Sequence, residues 1–335
     1  MNILFMSVHE VLEYLELSLL TELGHNVFSI GGAYQNGPTA TGILRPAIPS
    51  LYFDDQLIRL ALQCSRDYLH PDLIAWADTI ICMHRYEWII NNWENIKHKT
   101  VILRTIGQNI QKDEEALTSL VKEGLRIVRY SPKEKEIPSF AGEDAMIRFY
   151  ADPEEFKGWT GEERKVITFA QSMRKRGDHL NFTAFDKSTK LLPRALYGPD
   201  NEDSGITGGV LDYESMKLAL RKAGCYFYGG TQPASYTLAF IEAYLTGTPI
   251  VAVGPKLANV IYAQATYEIP ELMENGREGF FADSIKELTV YCQQLLDDWK
   301  LAREISANAR EKALRVFGKD VIKEQWRIFL EELNG

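Results

Sequence analysis

The sequence predicts an α/β protein with two doubly wound, Rossmann-like domains that face a cleft. In both halves of the chain, short apolar strands alternate with amphipathic helices, a pattern typical of parallel sheets with crossover helices. A polar stretch at 151–164, which carries Pro153 and Gly158, separates the two halves. The chain has 335 residues, enough for two domains of ordinary size. We therefore expect a first domain at 1–150, a linker at 151–164 and a second domain beyond it.

The composition is that of an ordinary globular protein, with 45% hydrophobic and 25% charged residues. A net charge of −9 argues against a nucleic-acid scaffold. Cys64, Cys82, Cys225 and Cys292 show no paired spacing, so we expect free thiols in a reducing compartment and no zinc site. A strand pattern starts at residue 2, and no stretch reaches the ~20 apolar residues of a membrane span. These features predict a cytoplasmic protein without a membrane span.

Three polar residues of the first half follow predicted strands. The strands are expected at 2–6, 27–30, 79–83, 100–104 and 125–130, with helices between them and a long irregular connection at 33–53. Ligands gather at the carboxyl ends of parallel strands. His9, His84 and Gln108 each stand just past such an end, and they are the candidate catalytic residues. A lone histidine there is equally compatible with a structural, hydrogen-bonded role.

The most informative stretch of the chain is 225–254. An apolar strand at 225–228 stops at Gly229 and Gly230, a loop follows, and Ser235 can cap a helix whose apolar residues recur at helical spacing. A strand, a glycine loop and a helix N-terminus in this order can bind an anion at the loop. Glu242, two turns into the helix, could accept hydrogen bonds from vicinal hydroxyls such as those of a ribose. The alternative is one more βαβ unit in which Glu242 is solvated.

This stretch also carries a family resemblance. The segment GTQPASYTLAFIEAYLTGTPIVAVG resembles the donor-binding segment of the GT-B glycosyltransferases, in particular the large, mostly retaining family-4-like group. Glu242 matches the second of that group's two glutamates, which holds the donor ribose. The segment Gly247–Pro249 matches the start of the strand that follows. Ala234 stands where the group has its first glutamate, which contacts the donor sugar.

Other parts of the second half match the same group in the same order. The loop AQSMRKRGD places Arg174 and Arg176 where GT-B enzymes neutralise the donor diphosphate. The segment 208–214 resembles the one whose backbone reads the donor base. The final helix, at 317–335, resembles the GT-B helix that crosses back to the N-terminal domain, which leaves 165–316 as the nucleotide-sugar domain. FAQSMR is also similar to a loop of the phage enzyme that glucosylates DNA.

The resemblance implies a nucleotide-sugar-dependent glycosyltransferase. Its co-substrate would be a UDP-sugar or a GDP-sugar, with no tightly bound cofactor and no metal. The acceptor would be a saccharide, a small molecule or, less in keeping with the charge, DNA, and it would lie on the N-terminal domain. The donor-binding residues implied are Arg174, Arg176, Val210, Leu211, Tyr213, Gly229, Gly230, Thr231, Ser235, Tyr236, Thr237, Leu238 and Glu242.

Several alternatives stay open at this point. A DNA-modifying glucosyltransferase of the phage type is suggested by FAQSMR, and an epimerase shares the fold. A non-catalytic nucleotide-sugar-binding protein is suggested by Ala234. Gly107 and Gln108 stand in a loop where the retaining group usually has a histidine, so both retention and inversion remain open. Gln108 could orient an acceptor hydroxyl but could not take its proton.

Overall fold

The computed structural model describes residues 1–31, 54–65, 67–262 and 264–333. Within it the chain divides into two compact units. The first unit is Met1–Phe149 with Ile322–Gly335, and the second unit is Tyr150–Val321. The irregular connection predicted at 33–53 lies outside the described residues.

The first unit contains a six-stranded, wholly parallel sheet. Its strands are β1 (Asn2–Met6), β2 (Asn26–Ser29), β3 (Thr79–Met83), β4 (Thr100–Arg104), β5 (Arg126–Arg129) and β6 (Ala145–Met146). Their spatial order is β2-β1-β3-β4-β5-β6. The chain adds β2 on one side of β1 and then β3 on the other, so the strand order reverses between β1 and β3.

Five α-helices of the described residues lie between these strands. They are α1 (Glu10–Glu22), α2 (Asp55–Ala61), α3 (Pro71–Trp76), α4 (Tyr86–Ile96) and α5 (Gln111–Lys122). Leu57, Leu73, Ile89 and Leu117, one from each of α2 to α5, pack into one hydrophobic core with the sheet. Every residue of β3 is buried, as expected for a parallel strand covered by helices on both faces.

The second unit repeats this plan with its own sheet. Its strands are β7 (Glu163–Phe169), β8 (Arg194–Tyr197), β9 (Thr207–Gly209), β10 (Ala223–Tyr228), β11 (Ile250–Val253) and β12 (Phe280–Ala282). All are parallel, in the order β12-β11-β10-β7-β8-β9. Here the order reverses between β7 and β10. Two separate parallel sheets confirm the predicted pair of doubly wound units.

The described helices of the second unit include one that is largely buried. They are α6 (Met173–Arg176), α7 (Phe182–Thr189), α8 (Tyr213–Lys222), α9 (Leu238–Thr246), α10 (Pro255–Ala258), α11 (Ile269–Leu272), α12 (Ile285–Asp297) and α13 (Trp299–Phe317). From Phe240 to Thr246 every residue of α9 is buried. Helix α13 packs along α9 and buries Ala302, Ile305 and Ala309. The small side chains allow the two helices to approach closely.

The stretch predicted as a linker, 151–164, packs on the second unit. Arg310 of α13 donates hydrogen bonds to the carbonyls of Pro153 and Phe156. The indole N–H of Trp159 donates to the carbonyl of Ala223 at 2.7 Å. The polar composition predicted an interdomain linker here, and backbone carbonyls and one buried aromatic, Phe156, hold the segment on the second unit.

Two short edge strands, β6 and β9, were not predicted. They have two and three residues, too few to show an alternating pattern. All four cysteines are free thiols as predicted, Cys64 partly buried and the other three buried. Among the described residues, no helix is both long enough and apolar enough to cross a bilayer.

The last helix, α14 (Lys319–Glu332), belongs to the first unit from Ile322 onward. Trp326 is fully buried, and Phe329 lies against it with ring centroids 6.1 Å apart. The guanidinium of Arg104 lies 5.7 Å from the centre of the Trp326 ring. This contact ties α14 to the end of β4.

Arg104 is itself fully buried. Its Nε donates to Glu16 Oε1 at 2.9 Å, and its Nη1 and Nη2 donate to the carbonyls of Ile147 at 2.6 Å and Arg148 at 3.3 Å. The ring of Phe149 lies 4.2 Å from the guanidinium. Burial raises the pKa of Glu16, and the charge of Arg104 limits that rise. Glu16 and Arg104 therefore form a buried, hydrogen-bonded pair in the core.

A second buried arginine, Arg129, lies at the end of the neighbouring strand. Its two terminal nitrogens each donate to one oxygen of Glu114 at 2.7 Å. Burial opposes ionisation of Glu114, but Arg129 lowers its pKa overall. Glu134 lies 3.9 Å from Arg129 and accepts a 2.8 Å hydrogen bond from Thr105. Burial raises the pKa of Glu134 to about 7, although the charge of Arg129 opposes the shift.

We predict that Glu134 makes the stability of the protein depend on pH. The folded-state pKa of about 7 exceeds the ordinary 4.5. The contribution of protonated Glu134 to the free energy of unfolding is therefore fully present below about pH 4.5. This contribution, ~3 kcal/mol, is lost as the pH rises through 7. Glu134→Gln keeps the acceptor for Thr105 without the charge. Its Tm should exceed that of wild type near pH 8, and the two should converge near pH 5. Glu136→Gln, an exposed neighbour, is the control. A variant less stable than wild type near pH 8 would contradict this.

Candidate active site

Both sheets offer a binding position where their strand order reverses. In open parallel sheets, ligands bind outside the carboxyl ends of the strands at such a switch point. In the first sheet the loops after β1 and β3 meet there, and they carry His9 and His84. In the second sheet the loops after β7 and β10 meet there, and they carry Arg174–Arg176 and Gly229–Thr237. The topology thus places predicted catalytic residues at the switch point of the first unit and predicted donor-binding residues at the switch point of the second.

His9 is the N-cap residue of α1. Its Nδ1 accepts a long hydrogen bond from the Leu12 amide at 3.5 Å, and its own amide donates to Ser7 Oγ at 3.0 Å. A neutral imidazole whose Nδ1 accepts a hydrogen bond carries its proton on Nε2. In this tautomer His9 can donate a hydrogen bond to a ligand but cannot take a proton from it.

His84 differs from His9 in backbone and environment. Its φ is +69°, in the left-handed region that side chains other than glycine rarely adopt. Its amide is held by the Arg104 carbonyl at 2.9 Å. Burial lowers the pKa of His84, and the charges of Arg85 and His9 lower it further. Its buried Nδ1 has no hydrogen-bond partner in the described part of the chain. His84 is therefore neutral at neutral pH, as a proton acceptor must be.

The third candidate of this unit, Gln108, lies exposed after β4. Before it, Gly107 has φ +76°, and a Cβ there would come within 2.2 Å of the Tyr130 hydroxyl oxygen. Only glycine fits at this turn. This explains why the loop carries glycine where the resembling group usually has a histidine.

A buried carboxylate on α1, which the sequence did not single out, lies near the same edge. Glu13 is fully buried and accepts a 2.5 Å hydrogen bond from the Ser29 hydroxyl at the end of β2. A Cβ on Gly31 would come within 2.5 Å of this carboxylate. In the sequence Glu13 is a polar residue among leucines of a helical pattern, and nothing in that pattern predicts its burial.

The loop after β7 presents three cations. Arg174, Lys175 and Arg176 are all exposed, and none forms an ion pair with a described residue. Arg174 donates a hydrogen bond to the carbonyl of Asp203, which leaves its charge without a neighbouring carboxylate. The loop is therefore a cationic surface at the switch point.

A buried asparagine holds this loop in shape. Asn201 is inaccessible to solvent; its Oδ1 accepts from the Met173 amide at 2.8 Å, and its Nδ2 donates to the carbonyls of Ala170 at 2.6 Å and Gly198 at 3.0 Å. The sequence predicted an irregular loop here with no core residue. A lone Asn between Pro-Asp and Glu-Asp gives no signal of burial.

The loop after β10 is anchored by Gln232 in the same way. Its amide donates to the His179 carbonyl at 2.9 Å, its Nε2 donates to the Asp178 carbonyl at 2.8 Å, and its Oε1 accepts from the Ile261 amide at 2.9 Å. The carbonyl of Gly229 accepts from Asn181 at 2.8 Å. The loop thus has a fixed backbone, and Thr231 lies partly exposed on it.

The predicted cap of α9 was wrong. Ser235 is fully buried and its carbonyl accepts from the Glu268 amide at 3.1 Å, and the helix has not yet begun there. The helix begins at Leu238, with Thr237 as its N-cap residue and no side-chain capping hydrogen bond. Tyr236 is buried against Phe317, while Thr237 and Leu238 are partly exposed. The first amides of α9 therefore lie beside the loop.

Glu242 is buried, with 3% of its surface exposed, so it is not the solvated helix residue of the simpler interpretation. Burial raises the pKa of Tyr226, and the nearby Glu242 carboxylate adds to the shift. Tyr226 lies beside Phe169, the last residue of β7, with ring centroids 5.8 Å apart. Glu242 is therefore close enough to β10 for its charge to act on Tyr226.

The residues expected to read a donor base follow the edge strand β9. Val210 is 65% exposed and Leu211 is partly exposed. The Tyr213 hydroxyl donates to Glu155, and Lys217 Nζ lies 4.3 Å from the centre of the Tyr213 ring. Tyr213 is thus occupied by protein contacts, and the backbone at Val210 and Leu211 is the accessible part.

The described residues contain no group of three or more His, Cys, Asp or Glu side chains that could hold a metal ion. No protein-family profile matches the sequence, and no curated protein matches it.

Solved structures do match the fold over the whole chain. HepE from Anabaena, in complex with UDP and glucose, gives a TM-score of 0.70 at 15% identity and covers 99% of both chains. A glycosyltransferase from Rickettsia africae gives 0.67 at 15% identity, covering 100% of this chain and 99% of its own. The lipopolysaccharide outer core galactosyltransferase WaaB gives 0.61 at 10%, covering 99% and 100%. The chain has the GT-B fold. At these identities the likeness shows the GT-B fold and not the substrate.

We predict that Gln232 holds the β10 loop of the GT-B fold. Gln232→Ala leaves the Ile261 amide and the Asp178 carbonyl without their partners, and each such loss costs about 1–3 kcal/mol. Hydrogen exchange at Ile261 should accelerate by about tenfold to a hundredfold. Thr231→Ala, its partly exposed neighbour, is the matched control. Unchanged exchange at Ile261 in Gln232→Ala would contradict this assignment.

Proposed function

We propose that this protein is a glycosyltransferase that moves a sugar from a UDP-sugar to an acceptor hydroxyl. The observation that carries the proposal is the pairing, at the switch point of the second sheet, of an unneutralised cationic loop with an anchored glycine loop. HepE, which shares the fold, has been solved with UDP and with UDP-glucose. This favours UDP over GDP as the nucleotide.

The donor diphosphate would bind between the two loops. Arg174 and Arg176 supply charge that no described carboxylate neutralises, and guanidinium groups pair well with phosphate oxygens. The first amides of α9, near Thr237 and Leu238, face the same loop and favour an anion. As the bond to the sugar breaks, these groups stabilise the charge that grows on the leaving diphosphate.

The nucleoside would lie along the sheet edge. Glu242 accepts hydrogen bonds from the ribose hydroxyls, which requires the ribose to be buried against α9. The backbone of Val210 and Leu211 reads the base. Because Ala234 offers no carboxylate and Gln232 is held by three protein contacts, the partly exposed Thr231 is the side chain of this loop that can meet the transferred sugar.

The acceptor side is the edge of the first sheet that carries His9, His84 and Gln108. In the reaction the bond between the anomeric carbon and the diphosphate oxygen breaks, and the acceptor oxygen forms a new bond to that carbon. Neutral His84 receives the hydroxyl hydrogen bond and, with inversion, its proton. His9 donates from Nε2 and orients the acceptor. The acceptor is a saccharide or another small hydroxyl compound.

Donor binding tests the site in the second unit. Arg174→Ala removes an exposed cation, and Glu242→Gln removes charge while keeping volume in a buried position. Each should weaken UDP binding, measured by calorimetry, by about tenfold to a hundredfold, since charge-assisted contacts are worth about 1.5–3 kcal/mol. Arg277→Ala removes an exposed cation from the same unit and serves as control. If either site variant bound UDP as tightly as wild type, the donor site would be misassigned.

Turnover tests the two histidines. Asparagine tolerates a left-handed backbone and also caps helices, so His84→Asn and His9→Asn both preserve local structure. With a UDP-sugar and its acceptor, His84→Asn should lower kcat by about 10²–10⁴-fold without changing UDP affinity. His9→Asn should have the smaller effect.

For an inverting reaction, the acid limb of the wild-type pH profile should lie below 6.5, because the His84 pKa is lowered. Wild-type kcat in His84→Asn would remove His84 from the mechanism.

A further inference from the structure

A groove of about 920 Å³ lies in the second unit away from the proposed donor loops. Its wall includes Thr246, the last residue of α9, whereas the donor loop precedes Leu238, the first residue. Nine helical residues separate the two positions by about 13 Å. The volume is in the range of small-molecule and oligomer sites. The proposed function makes no use of this groove.

Two tryptophans form one end of the groove. The rings of Trp159 and Trp299 are stacked, with centroids 5.2 Å apart and planes at 27°. The indole N–H of Trp159 donates to the Ala223 carbonyl, which fixes the ring. Trp299 is 50% exposed, so one face covers Trp159 and the rest of the ring is open. A Cβ on Gly161 would lie within 3 Å of both rings, and glycine there permits the stack.

The floor of the groove is one face of α13 and carries excess positive charge. Arg303 and Arg310 are two turns apart on this face, with Ser306 and Ala307 between them. Arg303 is exposed and forms no ion pair with a described residue. Arg310 donates only to the carbonyls of Pro153, Phe156 and Leu245 in the described part of the chain. Neither guanidinium forms an ion pair with a described residue, although the charge of Glu154 acts on Arg310.

The other charged residues of the groove have partners. Lys157 pairs with Glu154, and Glu311 pairs with Arg315. The two arginines therefore decide the sign of the groove, in a chain whose total charge is −9. A local excess of positive charge on an acidic protein selects anionic ligands of small size over nucleic acids.

A second groove, of about 650 Å³, begins on another side of Trp299. It is lined by Thr289, Gln293, Gln294 and Asp297, whose amide, hydroxyl and carboxylate groups suit ligand hydroxyls. Asp297 is paired with Arg164, so its charge is balanced. Asp298 also lines this groove; it accepts from the Leu301 amide and can accept ligand hydroxyls. Trp299 thus stands between a groove with Arg303 and a hydrogen-bonding groove.

We propose that these grooves bind an acidic oligosaccharide that crosses the exposed ring of Trp299. The apolar C–H face of one sugar packs on the ring, hydroxyls of the chain meet the amides on one side, and a carboxylate meets Arg303 on the other. An aromatic ring with one fixed and one open face loses little entropy on binding. The site holds a glycan on the second unit independently of the donor.

Binding of hexagalacturonate, without any nucleotide sugar, tests this site. Calorimetry should show binding to the full-length protein, with quenching of tryptophan fluorescence, and no comparable binding of neutral maltohexaose. Trp299→Ala should weaken hexagalacturonate binding by about tenfold or more, and Trp299→Phe should retain most of it. Arg303→Gln, at an exposed position, should weaken it by about tenfold. Arg277→Gln removes a cation outside the grooves and should leave binding unchanged.

The outcomes separate this site from the donor site, because UDP binding should be the same in wild type and in Arg303→Gln. Three results would overturn the proposal. They are no hexagalacturonate binding by wild type, equal binding of maltohexaose, and unchanged hexagalacturonate binding in both Trp299→Ala and Arg303→Gln. A single-stranded DNA oligonucleotide bound as tightly as hexagalacturonate would also overturn it.

Discussion

The buried guanidinium of Arg104 is the interaction on which the first unit depends. A charge without solvent must be paired and hydrogen-bonded, and Arg104 satisfies this with Glu16, two carbonyls of 147–148 and two aromatic faces. The Arg104 side chain, at the end of β4, thereby contacts α1, the backbone at 147–148 and α14. Removing it would leave Glu16 buried and unpaired, so the terminal helix and the sheet are held by the same ion pair.

The two switch points are built by different means. In the first unit, the strand ends are filled by buried ions such as the pair of Arg129 and Glu114, and imidazoles lie at the edge. In the second unit, neutral amides, Asn201 and Gln232, satisfy the loop backbones. The Asp200 carboxylate also holds this loop, through Gln171 and Ser172, but it forms no ion pair with the cations at 174–176, which keep their charge for a ligand. This division suits a unit that meets hydroxyls and a unit that meets phosphates.

Much of the fold could be predicted because strands such as β1 and β10 are short apolar runs that end at polar or glycine residues. Glu242 and the cations at 174–176 could be singled out by their order along the chain. Asn201, Gln232 and Glu13 could not, since a polar residue becomes an anchor only through partners distant in sequence. The groove at Trp299 was equally hidden, because Trp159 and Trp299 are 140 positions apart and meet only after folding.

The burial of α9 has a consequence for how the second unit recognises its ligand. A helix enclosed from Phe240 to Thr246 cannot rotate or slide without disrupting a close-packed interior. Under the proposed function, its N-terminal amides and the Glu242 carboxylate are preorganised, and little conformational entropy remains to be lost at this helix on nucleotide binding. Under the same proposal, selection among nucleotides rests on geometric match to a rigid surface, and adaptation to different sugars falls to the exposed loop side chains.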